Sequence, residues 1–148
     1  DVLPEKLALQ GKMLLKIALA IMYTIPGIPC VFQGTEVADS GYKDPFNRKP
    51  YPWSKQEEEM KDFVRRLGVY RKKNADILAT GEAKIEKITN SILIMERKSE
   101  IGRIRLCVNR TDKEQSTDFD MQGSKLIFQE NNSSINKVEP YGITIIRD

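Results

Sequence analysis

The residues with the widest chemical range lie close together. Glu36, Asp39, Asp44 and Arg48 share one stretch with Tyr42, Trp53 and a dense scatter of Gly, Pro and Asn. Two carboxyl groups flanking a bond can act as nucleophile and proton donor in hydrolysis, and Glu36 with Asp39 is the nearest such pair. Their spacing on an irregular loop fixes no geometry, so it does not make them a catalytic pair. Asp44 and Arg48 offer two readings. They can pair with each other and fold the loop, or present a carboxylate acceptor and a forked guanidinium donor to a ligand. The chain has no His, which excludes Ser-His and Cys-His catalysis and most zinc sites. Cys30 and Cys107 stand alone, without CxxC spacing, and read as small buried hydrophobes.

Those residues need elements to position them. The apolar run from Ile28 to Phe32 reads as a short strand, and the stretch from Gln33 to Trp53 as a long ordered loop. A strand buried on both faces that runs into a polar loop is how parallel α/β sheets build binding sites. Gly34 and Gly41 are expected to serve backbone conformation. Upstream, Pro4 to about Met22 carries Leu7, Met13, Leu14, Ile17, Ala18 and Ile21 at helical spacing, and Pro26-Gly27 ends the helix. Downstream, Ser54-Lys55-Gln56-Glu57 matches a capping box. It would open a helix with Met60, Phe63, Val64, Leu67 and Tyr70 on its apolar face, ending near Lys73-Asn74. Trp53, just before the box, is expected to staple onto that helix. Glu57–Glu59 and Arg71–Lys73 sit at opposite ends, where they complement the helix dipole.

From Gly81 the period changes from helical to alternating. Strands are expected around Ala83–Ile88, Ile92–Ile94, Ile104–Val108, Asp118–Met121, Lys125–Gln129 and Gly142–Ile146, with a polar turn at Asn131–Ser134. Short strands at such intervals predict an antiparallel sandwich.

The wording of the loop is more specific than its pattern. Gly27, Pro29, Gly34 and Glu36 form a GxPxxxxGxE run that resembles the last barrel strand of the α-amylase family of glycoside hydrolases. The following Asp44-Pro45-Phe46-Asn47-Arg48-Lys49-Pro50, with Trp53, resembles the cyclomaltodextrinase, neopullulanase and oligo-1,6-glucosidase branch. Glu139-Pro140-Tyr141-Gly142-Ile143-Thr144-Ile145 resembles the usual last strand of that family's domain C.

The resemblance implies an α+β chain: a helix-strand-loop-helix portion closing a (β/α)8 barrel over residues 1–78, then a β-sandwich domain C over 79–148. A complete barrel needs about 250 residues, and this chain has 148, so its abrupt Asp1-Val2-Leu3-Pro4 start reads as a cut end. The parent would be a retaining glycoside hydrolase acting on α-glucosidic bonds of starch-derived oligosaccharides, cyclodextrins or pullulan. Its nucleophile, acid/base and third carboxylate would precede Asp1, so no catalytic residue is expected here and the piece alone would be inactive. Asp44 and Arg48 are the expected substrate contacts, through hydrogen bonds to glucose units of an α-glucan oligosaccharide. Gln33 and Thr35 replace residues common in the family, which leaves fine specificity open.

Some family members hold calcium, but no calcium-loop spacing occurs in this stretch, and no cofactor or metal is expected. A net charge of +3 with scattered charges excludes a nucleic-acid footprint. The longest apolar stretch, Ile17 to Ile28, is too short and broken to span a membrane. Exposed barrel edges would make the piece prone to self-association. The competing class is a non-catalytic carbohydrate-binding or structural sandwich module, against which the aromatic-poor 82–148 segment argues.

Overall fold

The computed structural model describes residues 5–39, 50–55 and 57–148. The first element is helix α1, Glu5–Thr24. It ends where Pro26 blocks continuation and Gly27 takes φ 105°, a left-handed conformation that suits glycine. Thr24 closes the last turn by donating from Oγ1 to the Ala20 carbonyl at 2.8 Å. A single 3-10 turn, Thr35–Val37, follows. Helix α2 spans Glu58–Lys73, with Glu58 and Glu59 in its first turn and Arg71, Lys72 and Lys73 in its last, as the dipole favours. A short helix α3, Ala75–Leu78, leads into the sheet.

The strands are β1 Glu82–Ile88, β2 Ile92–Ser99, β3 Gly102–Asn109, β4 Gln115–Ser116, β5 Lys125–Glu130, β6 Lys137–Val138 and β7 Ile143–Arg147. Five of them form one antiparallel sheet in the order β1-β2-β3-β7-β5, and β4 pairs with β6 as a separate ribbon. Bulges interrupt the register between Ile85 and Lys87 and between Leu126 and Phe128.

Each face of the large sheet has its own cover. On one face, Ile17, Leu19 and Ala20 of α1 and Met60, Phe63, Leu67 and Tyr70 of α2 share a core with Met95, Ile104, Leu106, Phe128 and Ile145. Burying a Phe or Leu side chain contributes about 1.5–3 kcal/mol, and Phe63 meets Phe128 edge-on at 5.8 Å. On the other face, Phe119, Val138 and Ile135 pack over Ile92, Ile94, Cys107 and Ile146. The result is a sandwich whose thin second layer is the β4–β6 ribbon.

Arg97 joins the helices to the sheet. Its side chain is 1% exposed, and it donates to the Thr24 carbonyl at 2.7 Å, to Leu78 at 2.9 Å and to Gly81 at 2.7 and 3.1 Å. These include carbonyls at the C-terminal ends of α1 and α3, which a helix cannot satisfy internally. Gly81 is required beside it, because a Cβ there would lie 2.6 Å from the Ile77 carbonyl oxygen.

Several sequence expectations need correction. The run Ile28–Phe32 is not a strand: Ile28 is 94% and Phe32 71% exposed, and no described strand lies beside it. A parallel strand exists only through neighbours. The Ser54–Glu57 capping box does not form: α2 begins at Glu58, with no side-chain bond at its N-cap, Glu57. The Glu57 carboxylate instead accepts from Lys12 at 2.9 Å, and Ser54 sits in a turn closed by Lys55 N–H and the Pro52 carbonyl. The strand expected at Asp118–Met121 is absent. Phe119 is buried from irregular backbone, while pairing falls to Gln115–Ser116. Cys107 is buried as expected, with burial pushing its thiol up to about 12, but Cys30 is exposed.

Candidate functional site

The polar loop singled out above leaves the fold from the turn Gln33–Asp39 and returns at Pro50. Gly34 makes the turn, with φ 91°, and its carbonyl accepts from Val37 N–H at 3.2 Å and Asp39 N–H at 2.9 Å. Ala38 follows in the left-handed region at φ 46°. Val37 is fully buried and packs the turn onto α2. Helix α2 is tied in turn to the end of α1, because Arg71 donates to the carbonyls of Tyr23 at 2.8 Å, Ile25 at 3.3 Å and Gly27.

The carboxylates of this turn are engaged locally. Glu36 Oε2 accepts from Gly34 N–H at 3.0 Å. Burial, with the nearby Glu36 carboxylate acting the same way, raises the Tyr51 hydroxyl above its ordinary range. Asp39 Oδ1 lies 4.0 Å from Lys55 Nζ, and the same ammonium donates to the Ala38 carbonyl at 2.7 Å. One tie therefore crosses from the outgoing to the returning segment, Lys55 with Ala38 and Asp39, and it holds Ala38–Asp39 beside Lys55 just ahead of α2.

The sequence candidates distribute unevenly over this frame. Asp44, Arg48, Tyr42 and Gly41 lie outside the described residues. Trp53, expected as a staple on α2, is instead 83% exposed. Its ring centroid lies 4.8 Å from that of Tyr51 at an interplanar angle of 59°, and its N–H donates to the Tyr51 carbonyl at 2.9 Å. With no capping box to start the helix at Ser54, Trp53 falls before a turn rather than beside the first helical residues. Sequence reading counts Tyr51, with Tyr42, Phe46 and Trp53, among the aromatic residues that anchor the loop, but passes over Lys55 as a site-shaping residue. The signal for Lys55 was the return of an ammonium to a loop base rich in carboxylates.

A second polar cluster supports the site from beneath α2. Lys16 donates to Glu59 and to Glu130, both at 2.5 Å, and Arg66 reaches Glu130 at 2.5 Å. Burial alone would lower the Lys16 ammonium, but the hydrogen bonds and charges of Glu130 and Glu59 outweigh it and leave it raised. Glu59 is lowered by its hydrogen bond to Lys16, reinforced by the charge. The cluster locks α1, α2 and β5 together. Among the described residues, no group of three or more His, Cys, Asp or Glu side chains could hold a metal ion, and no helix is long and apolar enough to cross a membrane.

No family model matches the sequence. Relatives nevertheless agree with one another. An amylopullulanase from Thermoanaerobacter thermohydrosulfuricus is 34% identical over 68 residues, covering 46% of this chain and 4% of its own length. A cyclomaltodextrin glucanotransferase from Niallia circulans is 36% identical over 93 residues, covering 63% of this chain and 13% of its own length. Among solved structures, an Anoxybacillus α-amylase superposes with a TM-score of 0.76 at 26% identity, over 96% of this chain and 34% of that one. A maltogenic amylase from S. marinus matches at TM-score 0.72 and 24% identity, over 92% of this chain and 19% of that one, a likeness of fold. The chain thus spans well under half the length of the relatives it matches. In sequence and fold its kin are α-amylase-family glycoside hydrolases, and the partial coverage fits a C-terminal portion of such an enzyme.

Proposed function

We propose that this chain is the C-terminal portion of a retaining glycoside hydrolase acting on α-glucosidic bonds in starch-derived oligosaccharides, cyclodextrins or pullulan. Residues 1–78 would complete the catalytic barrel and residues 79–148 would form domain C. The observation that carries the reading is the 26% identity to an α-amylase across 96% of this chain, at a TM-score of 0.76. The GxPxxxxGxE run and the Asp44–Arg48 wording supply the branch.

In this reading the chain's contribution is to bind and orient substrate. Retaining hydrolysis needs a nucleophile and an acid/base about 5–5.5 Å apart across the bond, and both would come from barrel strands outside this chain. Asp44 would accept from adjacent sugar hydroxyls, and the Arg48 fork would donate to them. The exposed Trp53, braced by Tyr51, would offer a flat apolar face to a pyranose ring beside that pair. The contacts of Lys55 with Ala38 and Asp39 join the residues that flank the loop, so substrate would meet a pre-positioned wall rather than pay to order one.

The test is kinetic, in the complete enzyme. Asp44→Ala and Arg48→Ala should each lower kcat/KM on long oligosaccharides about ten- to hundredfold, and less on maltotriose, because a hydrogen bond to a charged group contributes about 1.5–3 kcal/mol. The 148-residue chain alone should release no reducing sugar from starch, pullulan or cyclodextrin. Release by the purified chain that vanishes in Glu36→Gln would relocate the chemistry to the turn and overturn the reading.

A further inference from the structure

Along α2 lies a feature that the proposed hydrolysis does not use. An open groove of about 790 Å³ runs between α2 and the edge strand β5. Its helix wall presents Arg65, Arg66, Val69 and Lys73, and its strand wall is the unbroken run Lys125–Gln129, with Arg147 at the lining's margin. No carboxylate lines it. Arg65 and Arg66 are held by Asp62 at 2.5 and 2.9 Å, and Arg147 by Asp76 at 2.8 Å. Lys73 and Lys125 make no ion pair among the described residues. Between these cations the surface is apolar, with Val69 and Leu126 both exposed.

The strand wall has a second property. β5 pairs only with β7, and it ends the sheet order. Arg66 donates from α2 to the Gln129 carbonyl at 3.2 Å, so the backbone on this side of β5 is within reach of groups in the groove. A six-residue strand such as Lys125–Glu130 offers about 20 Å of ladder. Free ladder edges recruit strands, and the flanking side chains choose which.

The geometry points to this groove as a docking site for an extended acidic polypeptide segment, added antiparallel or parallel to β5 as a sixth strand. Backbone bonding to the β5 edge supplies the affinity. Carboxylates on the segment meet Lys73 and Lys125, and its alternate apolar residues lie on Val69 and Leu126. A small polyanion is the poorer fit, because Lys73 and Lys125, without an ion pair among the described residues, stand on opposite walls with apolar surface between them.

The experiment uses the 148-residue chain and a fluorescein-labelled peptide of alternating valine and glutamate, followed by anisotropy at low salt. A second peptide of the same charge replaces the valines by proline, which removes alternate ladder donors. Sodium tripolyphosphate serves as the small-anion arm. Saturable binding of the Val-Glu peptide is expected, at least about tenfold weaker for the proline peptide and for the Lys73→Glu/Lys125→Glu variant, since like charges set against each other are penalised at such rims. The variant's melting temperature should fall by only a few degrees, since neither lysine makes an ion pair among the described residues and reversing Lys73 costs only its favourable charge at the end of α2. Absence of saturable binding, equal binding of the proline peptide, equal binding by the variant, or displacement of the peptide by stoichiometric tripolyphosphate would each overturn the assignment.

Discussion

The Arg97 guanidinium, carried by strand β2, donates to the carbonyl of Thr24 at 2.7 Å, across a sequence separation of 73 residues. One side chain thereby ends helix α1, bonds the carbonyls of Leu78 and Gly81, and joins both to the sheet. Burial lowers its affinity for a proton, with the neighbouring Arg71 charge acting the same way, but no carboxylate partners it in these bonds. The carbonyls take that part.

Arg97→Met should therefore be costly out of proportion to its size. The substitution keeps the apolar stem and leaves three carbonyls without donors. A buried acceptor left unmade costs about 1–3 kcal/mol, so a loss of about 3 kcal/mol or more is expected from urea unfolding. A midpoint within error of the parent chain would show that the carbonyls find other partners.

The Lys16 cluster sets the response to pH. Glu59 is lowered in the folded chain from its ordinary 4.5, so its contribution is present above 4.5 and lost as pH falls through the lowered folded value. Lys16 is raised from 10.5, so its contribution is present below 10.5 and lost as pH rises through the raised folded value. Lys16→Met should flatten both flanks of the stability-versus-pH curve. Unaltered flanks would assign the acid limb to other carboxylates. Glu59 is largely exposed, so its share is small.

Trp53 is the chain's single tryptophan and is 83% exposed, so intrinsic fluorescence reports on that site alone. Stacking under a pyranose ring should shift its emission to the blue and protect it from acrylamide when maltoheptaose is added to the complete enzyme with its other tryptophans replaced by Phe. An unchanged spectrum while hydrolysis saturates normally would remove Trp53 from the substrate wall and leave Asp44 and Arg48 untouched by the result.

Periodicity carried most of the fold. α1, α2 and the strands β2, β3, β5 and β7 carry their buried residues where the apolar spacing put them, and β1 keeps the alternation although every residue of it is exposed. What escaped was set by long-range partners. The two-residue strands β4 and β6 are too short to carry a period, and Phe119 is buried without one. The apolar Ile28–Phe32 run has the composition of a strand but no neighbour to pair with among the described residues. The Ser54 box lost to Lys12 and Lys16, which draw Glu57 and Glu59 toward α1. At the candidate site, motif wording singled out the loop and its aromatic content suggested anchoring, while the tie of Lys55 to Ala38 follows no spacing rule.

That anchoring bears on how the chain can change. Lys55 clasps Ala38 and lies 4.0 Å from the Asp39 carboxylate, so the residues on either side of the 40–49 segment are joined by a contact made outside it. Lengthening a segment whose ends are already joined adds only about 0.6 kcal/mol per doubling. Segments of other lengths and wording can therefore be exchanged between Asp39 and Pro50 with little demand on α2 or the sheet. Under the proposed function this stretch is a cassette, in which recognition can be rewritten while the frame that presents it stays the same.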